Sequence, residues 1–228
     1  MRALLYKEFR LAMHPVCYAF VALFPFMILI PSFPAAVGSI YIMSCYPVLF
    51  LGANKGQQSN DLLFSTLLPV RKKDIVLARI VTVAAMQFAY LALMSALLPL
   101  ALLIQDSIQV KGSSLTTPGL PLSGFVSILA IGIIGFAIAD LIFFPIYYKR
   151  GRSIVASTLM TILGFAVYLM IFTVVIPYIP GCQGYVDFLC NSGLGWQFMM
   201  LGIALAVYVV VHFLVYRISA KRLEKVDF

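Results

Sequence analysis

Residues 55–79, KGQQSNDLLFSTLLPVRKKDIVLAR, form the one long polar and basic interruption in the apolar N-terminal half of the chain. Within this stretch, residues 61–68 place apolar side chains at helical spacing, behind polar residues suited to an N-cap. Pro69 ends the short helix, because the residue before a proline avoids the helical conformation. The basic triplet 71–73 follows. Two interpretations fit a short amphipathic helix here: a surface that meets another protein, and a helix that rests on lipid headgroups.

The composition around this stretch is that of a membrane protein. The chain has 228 residues, of which 63% are hydrophobic and 11% are charged, and its mean hydropathy is +1.04. Soluble domains carry about 25% charged residues. At roughly 20 residues per span, this length accommodates about six spans with short loops and leaves no room for a soluble domain. The sequence therefore predicts an all-α integral membrane protein with a single transmembrane domain over residues 1–228.

The apolar stretches predict six transmembrane helices separated by short loops. Residues 1–14 mix apolar and charged side chains, which predicts an interfacial helix ahead of the first span. Residues 177–195 carry apolar side chains among glycines and prolines, which predicts a short re-entrant segment in the outer leaflet. The predicted spans are about residues 16–33, 35–53, 80–104, 124–147, 154–176 and 196–216.

The positive charges support this arrangement. With six spans, fifteen of the sixteen Lys and Arg residues fall on the side of the two termini, and only Lys111 falls on the other. Cytoplasmic loops carry such an excess, so we expect a multi-pass membrane protein with both termini in the cytosol. We therefore interpret the formal net charge of +8 as a topology signal. The expected partner of these basic residues is membrane lipid, and we expect no nucleic-acid partner.

Motifs of catalysis are absent from the sequence. There is no G-x-x-x-x-G-K-[ST], no H-E-x-x-H and no G-x-S-x-G, so we expect no nucleotide bound by a P-loop, no metal site and no enzyme activity in this chain. His14 and His212 are far apart, at or near predicted span ends. They are expected to be interfacial or packed side chains and not metal ligands.

Two polar side chains fall inside predicted spans. Asp140 is the only acid well within one, where a carboxylate is costly and marks a functional candidate. It has three possible roles: binding a coupling ion or proton, pairing with a basic group near the cytosolic end, or lining a polar substrate path. Its position nearer the cytosolic end favours a structural or gating contact. Gln87 is expected to make an interhelical hydrogen bond.

Small residues and cysteines give weaker signals. Gly132, Gly135 and Gly164 lie in spans with small neighbours, which indicates close helix packing, although a moving helix surface has the same pattern. Cys182 and Cys190 share one outer loop, where an oxidising exterior permits a disulfide. Two cysteines alone do not establish it, so bridged and free thiols remain equally open.

The order of these features resembles the permease subunits of ABC-2 type transporters. An amphipathic N-terminus and a hairpin precede a cytosolic loop reading LPVRKKDIV over residues 68–76, which is similar to the family's run of Leu-Pro, basic and hydrophobic residues after its coupling helix. The turn FFPIYYKRGRS, residues 143–153, resembles the second cytosolic turn of a small bacterial branch. That branch includes exporters of amphipathic peptide toxins such as phenol-soluble modulins.

This resemblance implies a partner and a cargo. A separate ABC ATPase, in two copies, would bind ATP and Mg²⁺ and drive two permease copies, identical or different. Residues 58–68 would form the coupling helix. The cargo would be hydrophobic or amphipathic, such as a peptide toxin or an antimicrobial peptide, and export and immunity roles both fit. The residues implied in ATPase coupling are Asp61, Leu62, Leu63, Phe64, Leu67, Leu68, Arg71, Lys72, Lys149, Arg150 and Arg152.

Two other classes of function stay open. The first is a transporter or channel driven by an ion gradient, which needs Asp140 as its coupling site. The second is a membrane subunit that does not itself transport. The absence of a soluble sensory domain disfavours the second.

Overall fold

The computed structural model describes residues 2–30, 33–52, 70–109, 122–149, 154–171, 178–179 and 193–225. Most residues in these ranges are helical, and the ranges contain no strand. The helices are α1 (Arg2–Lys7), which continues as a π-helical turn (Glu8–Ala12); α2 (Pro15–Leu23), which continues as a 3₁₀ helix (Phe24–Leu29); α3 (Phe33–Ser44); α4 (Tyr46–Gly52); α5 (Lys72–Gln109); α6 (Leu122–Lys149); α7 (Ile154–Met170); and α8 (Leu194–Glu224).

Three helices within the described ranges are long and apolar enough to cross a membrane. Their candidate spans are Lys72–Ile104, Phe125–Lys149 and Leu194–Glu224. The pair Ala3–Arg10 and Pro15–Leu29 makes a fourth if it is counted as one bent span. The prediction of an all-helical membrane protein is confirmed, whereas the number six stays a prediction.

The long helices extend beyond the predicted apolar spans. α5 has 38 residues, about 57 Å at 1.5 Å per residue, which exceeds the ~30 Å hydrocarbon core. Its first turn contains Lys72, Lys73 and Asp74. α8 continues through the basic residues Lys221 and Arg222, which favour a helix C-terminus. A span predicted from hydropathy ends where charged residues begin, whereas the backbone hydrogen bonds of the helix continue through them.

Proline and extended residues shape the N-terminal third. Ala3–Arg10 and Pro15–Leu29 meet at 80°, because Met13 and His14 between them are extended. The His14 side chain accepts a hydrogen bond from the Val16 N–H at 3.3 Å and so caps α2. The predicted second span is interrupted at Cys45, between α3 and α4. Pro47 explains the break, since it has no N–H to donate.

α6 is the centre of the bundle. Seventy-two per cent of its apolar window is buried, against 28% for α5 and 17% for α8. It packs against α3, α7 and α8, and the aromatic rings of Phe136, Phe143 and Phe144 on it are fully buried. Leu163 of α7 and Val209 of α8, by contrast, are 60% and 66% exposed. Apolar side chains exposed on outer helices are what a bundle presents to lipid.

Glycines permit the close contact of α6 with its neighbours. A Cβ added at Gly135 would lie 2.7 Å from Cε2 of Phe165 on α7, and one at Gly132 would lie 3.0 Å from Cδ1 of Ile40 on α3. A Cβ at Gly164 of α7 would overlap the end of the Ile142 side chain. The close packing expected at these three glycines is therefore present.

Candidate functional site

A buried polar cluster joins α5, α6 and α8 and is called the Asp140 cluster here. The Gln87 Nε2 donates to Asp140 Oδ2 at 3.1 Å, and His212 Nε2 lies 3.0 Å from the same oxygen. The Tyr208 hydroxyl donates to Gln87 Oε1 at 2.7 Å. Asp140 is 0% exposed and Gln87 is 1% exposed. One residue of α5, one of α6 and two of α8 thus form a connected hydrogen-bond network away from solvent.

The His212 ring is held by contacts on both of its nitrogens. Its Nδ1 lies 2.9 Å from the backbone carbonyl oxygen of Tyr208, one turn earlier in α8. The Tyr208 ring stacks on the imidazole, with 3.9 Å between centroids. Phe88 of α5 packs edge-on against Tyr208 at 5.2 Å. The hydrogen-bond contact of Nδ1 and the stacking on Tyr208 therefore fix the ring orientation independently of Asp140.

These contacts determine how many protons the Asp140–His212 pair holds. A carbonyl oxygen only accepts, so His212 Nδ1 carries a hydrogen. The contact between Nε2 and Oδ2 then requires one further proton, on the imidazole or on the carboxyl. In either case the pair is neutral overall, which lowers the cost of placing it in an apolar bundle. A neutral pair of this kind can hold helices together.

The second carboxylate oxygen of Asp140 is in a different situation. Asp140 Oδ1 is buried and has no hydrogen-bond partner among the described residues. Buried polar atoms are nearly always bonded to protein or water, so such an atom marks a site of strain or function. The Asp140 carboxyl thus keeps acceptor capacity while its other oxygen serves two partners.

The sequence identified half of this cluster. Gln87 hydrogen-bonds across helices to Asp140, and the Asp140 carboxyl contacts the His212 imidazole, whereas the functional roles of both residues stay predictions. The roles of Tyr208 and His212 were missed, because His212 was interpreted as an interfacial or packed residue. The sequence did contain a signal for this pairing. Tyr208 and His212 are four residues apart on one helical face, and an acid within a membrane requires a partner from another span.

A second group of charges ties the N-terminal helix to the start of α5. Arg79 Nε lies 3.6 Å from Glu8 Oε2, and both side chains are almost fully buried. Lys7 Nζ lies 3.9 Å from the other carboxylate oxygen of Glu8. Buried ion pairs of this kind contribute little net stability, but removal of one partner leaves a costly buried charge. The π-helical turn that carries Glu8 is therefore fixed to α5.

Further polar contacts join the ends of the long helices. Lys73 Nζ, in the first turn of α5, lies 3.2 Å from Glu224 Oε1 at the end of α8, and both side chains are about half exposed. Arg222 of α8 donates a short hydrogen bond to the backbone carbonyl of Pro145, near the end of α6. The start of α5 and the ends of α6 and α8 therefore lie together, at what is called the basic end of the bundle here.

The residues predicted to couple to an ATPase are only partly within the described ranges. Arg71 and Lys149 are exposed and Lys72 is half-buried, and the contacts above place all three at the basic end. The following predicted features lie outside the described residues: the coupling helix 58–68 with Asp61, Leu62, Leu63, Phe64, Leu67 and Leu68; Arg150 and Arg152; Cys182 and Cys190; and most of the re-entrant segment 177–195.

Metal binding has no candidate in the described part of the chain, where no three His, Cys, Asp or Glu side chains are grouped to hold an ion. The Asp140 cluster offers one carboxyl and one imidazole, whose near oxygen and nitrogen already contact each other. The arrangement is suited to joining helices.

A bundle of long apolar helices with polar contacts buried between them defines an integral membrane protein of the helical class. A family model described as "ABC-2 family transporter protein" matches residues 3–222. The chain therefore belongs to the ABC-2 transporter family. No curated protein and no solved structure matches it. The resemblance to ABC-2 permeases is confirmed at this level, and the narrower one to exporters of phenol-soluble modulins stays a prediction.

Proposed function

We propose that this chain is the membrane-spanning permease subunit of an ATP-driven exporter whose ATPase is a separate protein. Membership of the ABC-2 family carries the proposal, because permeases of that family normally work with an ATPase subunit. The cargo is hydrophobic or amphipathic, as in the branch that the 143–153 turn resembles. Two permeases and two ATPases, the latter holding ATP and Mg²⁺, assemble in a bacterial plasma membrane with the permease termini in the cytosol.

The contacts at the basic end supply a route for the coupling motion. The proposed coupling helix 58–68 precedes α5 by a few residues, so a force on it acts on the first turn of α5. Lys73 links that turn to Glu224 of α8, and Arg79, about two turns further along α5, links the helix to Glu8 of the N-terminal segment. Displacement of one loop is thus passed to several helices that move together as a rigid body.

The Asp140 cluster has a defined place in this proposal. It joins α5, α6 and α8 within the bundle. At the basic end the same helices are joined by the Lys73–Glu224 ion pair and by the hydrogen bond from Arg222 to the Pro145 carbonyl. Two separated points of attachment resist rotation of one helix about its own axis. The cluster is therefore proposed to keep the three helices in one moving unit while the ATPase pair opens and closes.

Co-purification with the partner tests the coupling role. Leu63→Asp and Phe64→Asp place a carboxylate in the apolar face of the proposed coupling helix, and we expect each to abolish recovery of the P-loop ATPase encoded nearby. The control Leu115→Asp makes the same change in the predicted loop on the opposite side and is expected to leave recovery unchanged. Membrane insertion of all three variants is checked by fractionation. An unchanged pull-down for Leu63→Asp and Phe64→Asp removes the coupling role.

A second candidate function rests on the contact between the Asp140 carboxyl and the His212 imidazole, 3.0 Å apart. Such a pair is the part that an ion-gradient transporter would need. The two candidates separate in one experiment, in which transport is followed in vesicles after ATP is depleted. An ATP-driven exporter stops. Transport that continues, and is lost in Asp140→Asn, favours the gradient-driven function.

A further inference from the structure

An apolar groove lies between α5 and α8 on the outside of the bundle. Its volume is about 270 Å³. Val81, Ala84 and Phe88 of α5 line one wall at helical spacing, and Val209 and Phe213 of α8 line the other. These side chains, apart from Ala84, are 39–66% exposed, so the groove opens outward from the bundle and is not an internal cavity.

The apolar lining of the groove favours a hydrocarbon chain as its occupant. Tyr208, His212 and Tyr216 also border the groove. The Tyr208 hydroxyl and both ring nitrogens of His212 are engaged within the Asp140 cluster. Apolar cavities of about 150 Å³ stay dry and take up apolar molecules. A larger apolar groove on a membrane protein is therefore expected to hold an alkyl chain and no water.

A cation marks one end of the groove. The guanidinium of Arg217 lies 4.6 Å from the ring centroid of Phe213, the same ring that lines the wall. Arg217 is exposed, and Lys221 follows it one turn later on the same face. Among the described residues, the acids at this end are Asp74, in the first turn of α5, Glu224, which contacts Lys73, and Glu8, which contacts Arg79. Arg217 is thus placed to meet an anion at the point where the alkyl groove ends.

We propose that this groove binds one acyl chain of an anionic phospholipid, with the lipid phosphate at Arg217. Basic sites between transmembrane helices on the cytosolic side recognise anionic headgroups, and the positive charges of the sequence predict that this end faces the cytosol. The site is independent of cargo and ATPase. A chain in the groove also packs over Tyr208 and His212, so the lipid is placed to stabilise the contact between α5 and α8.

Native mass spectrometry of the detergent-purified chain tests the headgroup contact. The protein is titrated with phosphatidylglycerol and with phosphatidylcholine of the same acyl composition. We expect the unmodified chain to retain phosphatidylglycerol preferentially. Arg217→Gln should weaken that lipid about five-fold, the effect of one basic side chain near a membrane anion, while Arg217→Lys retains most of the affinity. Arg10→Gln is the matched control, because Arg10 is also exposed and lies 5.7 Å from the centroid of an aromatic ring, Tyr6, away from the groove.

Filling the groove tests the acyl-chain contact. Ala84→Phe places a ring in the groove, and Val81→Phe does so from its half-exposed rim, where misfolding is less of a concern. Both are expected to reduce retention of both lipids. Equal retention of the two lipids by the unmodified chain, or equal behaviour of Arg217→Gln and Arg10→Gln, overturns the proposal. Groove-filling variants that lose a dimer while keeping their lipid also overturn it, because the occupant is then a second copy of the chain.

Discussion

Replacement of His212 by Phe removes one half of a buried pair while keeping an aromatic ring beside Tyr208. The Asp140 carboxyl then loses the partner at 3.0 Å and keeps only the Gln87 amide at 3.1 Å. Its second oxygen has no described partner to compensate. Breaking a buried pair from one side costs about 3–5 kcal/mol, and we expect a loss of this size in the free energy of unfolding.

Removal of both partners should cost less than removal of one. In the double variant Asp140→Leu with His212→Phe, no charge remains buried, and such apolar replacements are often neutral. The remaining cost comes from Gln87 Nε2, which loses its acceptor while Oε1 keeps the Tyr208 hydroxyl; an unsatisfied buried donor costs about 1–3 kcal/mol. The double variant is therefore expected to be more stable than His212→Phe alone, although it carries an additional substitution.

Equilibrium unfolding in mixed micelles measures both quantities in a double-mutant cycle. The control is His14→Phe at the other histidine, which is exposed and caps α2 through one bond of 3.3 Å; its cost should be about 1 kcal/mol. If the stability losses of Asp140→Leu and His212→Phe simply add in the double variant, the reasoning is refuted, because two side chains that interact in the folded protein should show a coupling energy.

Further predictions concern packing and the ion pairs. Gly135→Ala should destabilise the protein by about 1–3 kcal/mol, because the new Cβ would lie 2.7 Å from buried Phe165. Gly202→Ala, where nothing lies within 4 Å of the new Cβ, should be neutral or stabilising. Thermal melting compares the two variants, and equal shifts in melting temperature contradict the packing argument. Arg79→Gln should cost about 3–5 kcal/mol by leaving buried Glu8 without its guanidinium. Glu224→Gln, at a half-exposed pair, should cost less than about 1 kcal/mol. The same unfolding assay measures both ion-pair variants. A larger loss of stability for Glu224→Gln than for Arg79→Gln would show that burial does not set the cost.

Much of the fold was readable along the chain because a bilayer imposes local rules. A span needs about 20 apolar residues wherever it lies, so composition alone predicted a helical membrane protein, and the positions of Asp140 and Gln87 inside spans marked them as candidates. The LPVRKKDIV run and the order of elements indicated the ABC-2 family, which the match over residues 3–222 confirms. Helix ends were less predictable, since α5 and α8 continue through charged residues where hydropathy stops.

The pairing of side chains between helices was decided only by the tertiary structure. Asp140 and His212 are 72 positions apart, and Glu8 and Arg79 are on helices that no local pattern connects. Which residues meet depends on the rotation and register of each helix, and these are set by packing such as that of Gly135 against Phe165. α6 is apolar around its whole circumference, so it has no amphipathic stripe from which an inward face can be read. Without that stripe the sequence determines that Asp140 is within the bundle, and only packing determines that it faces His212.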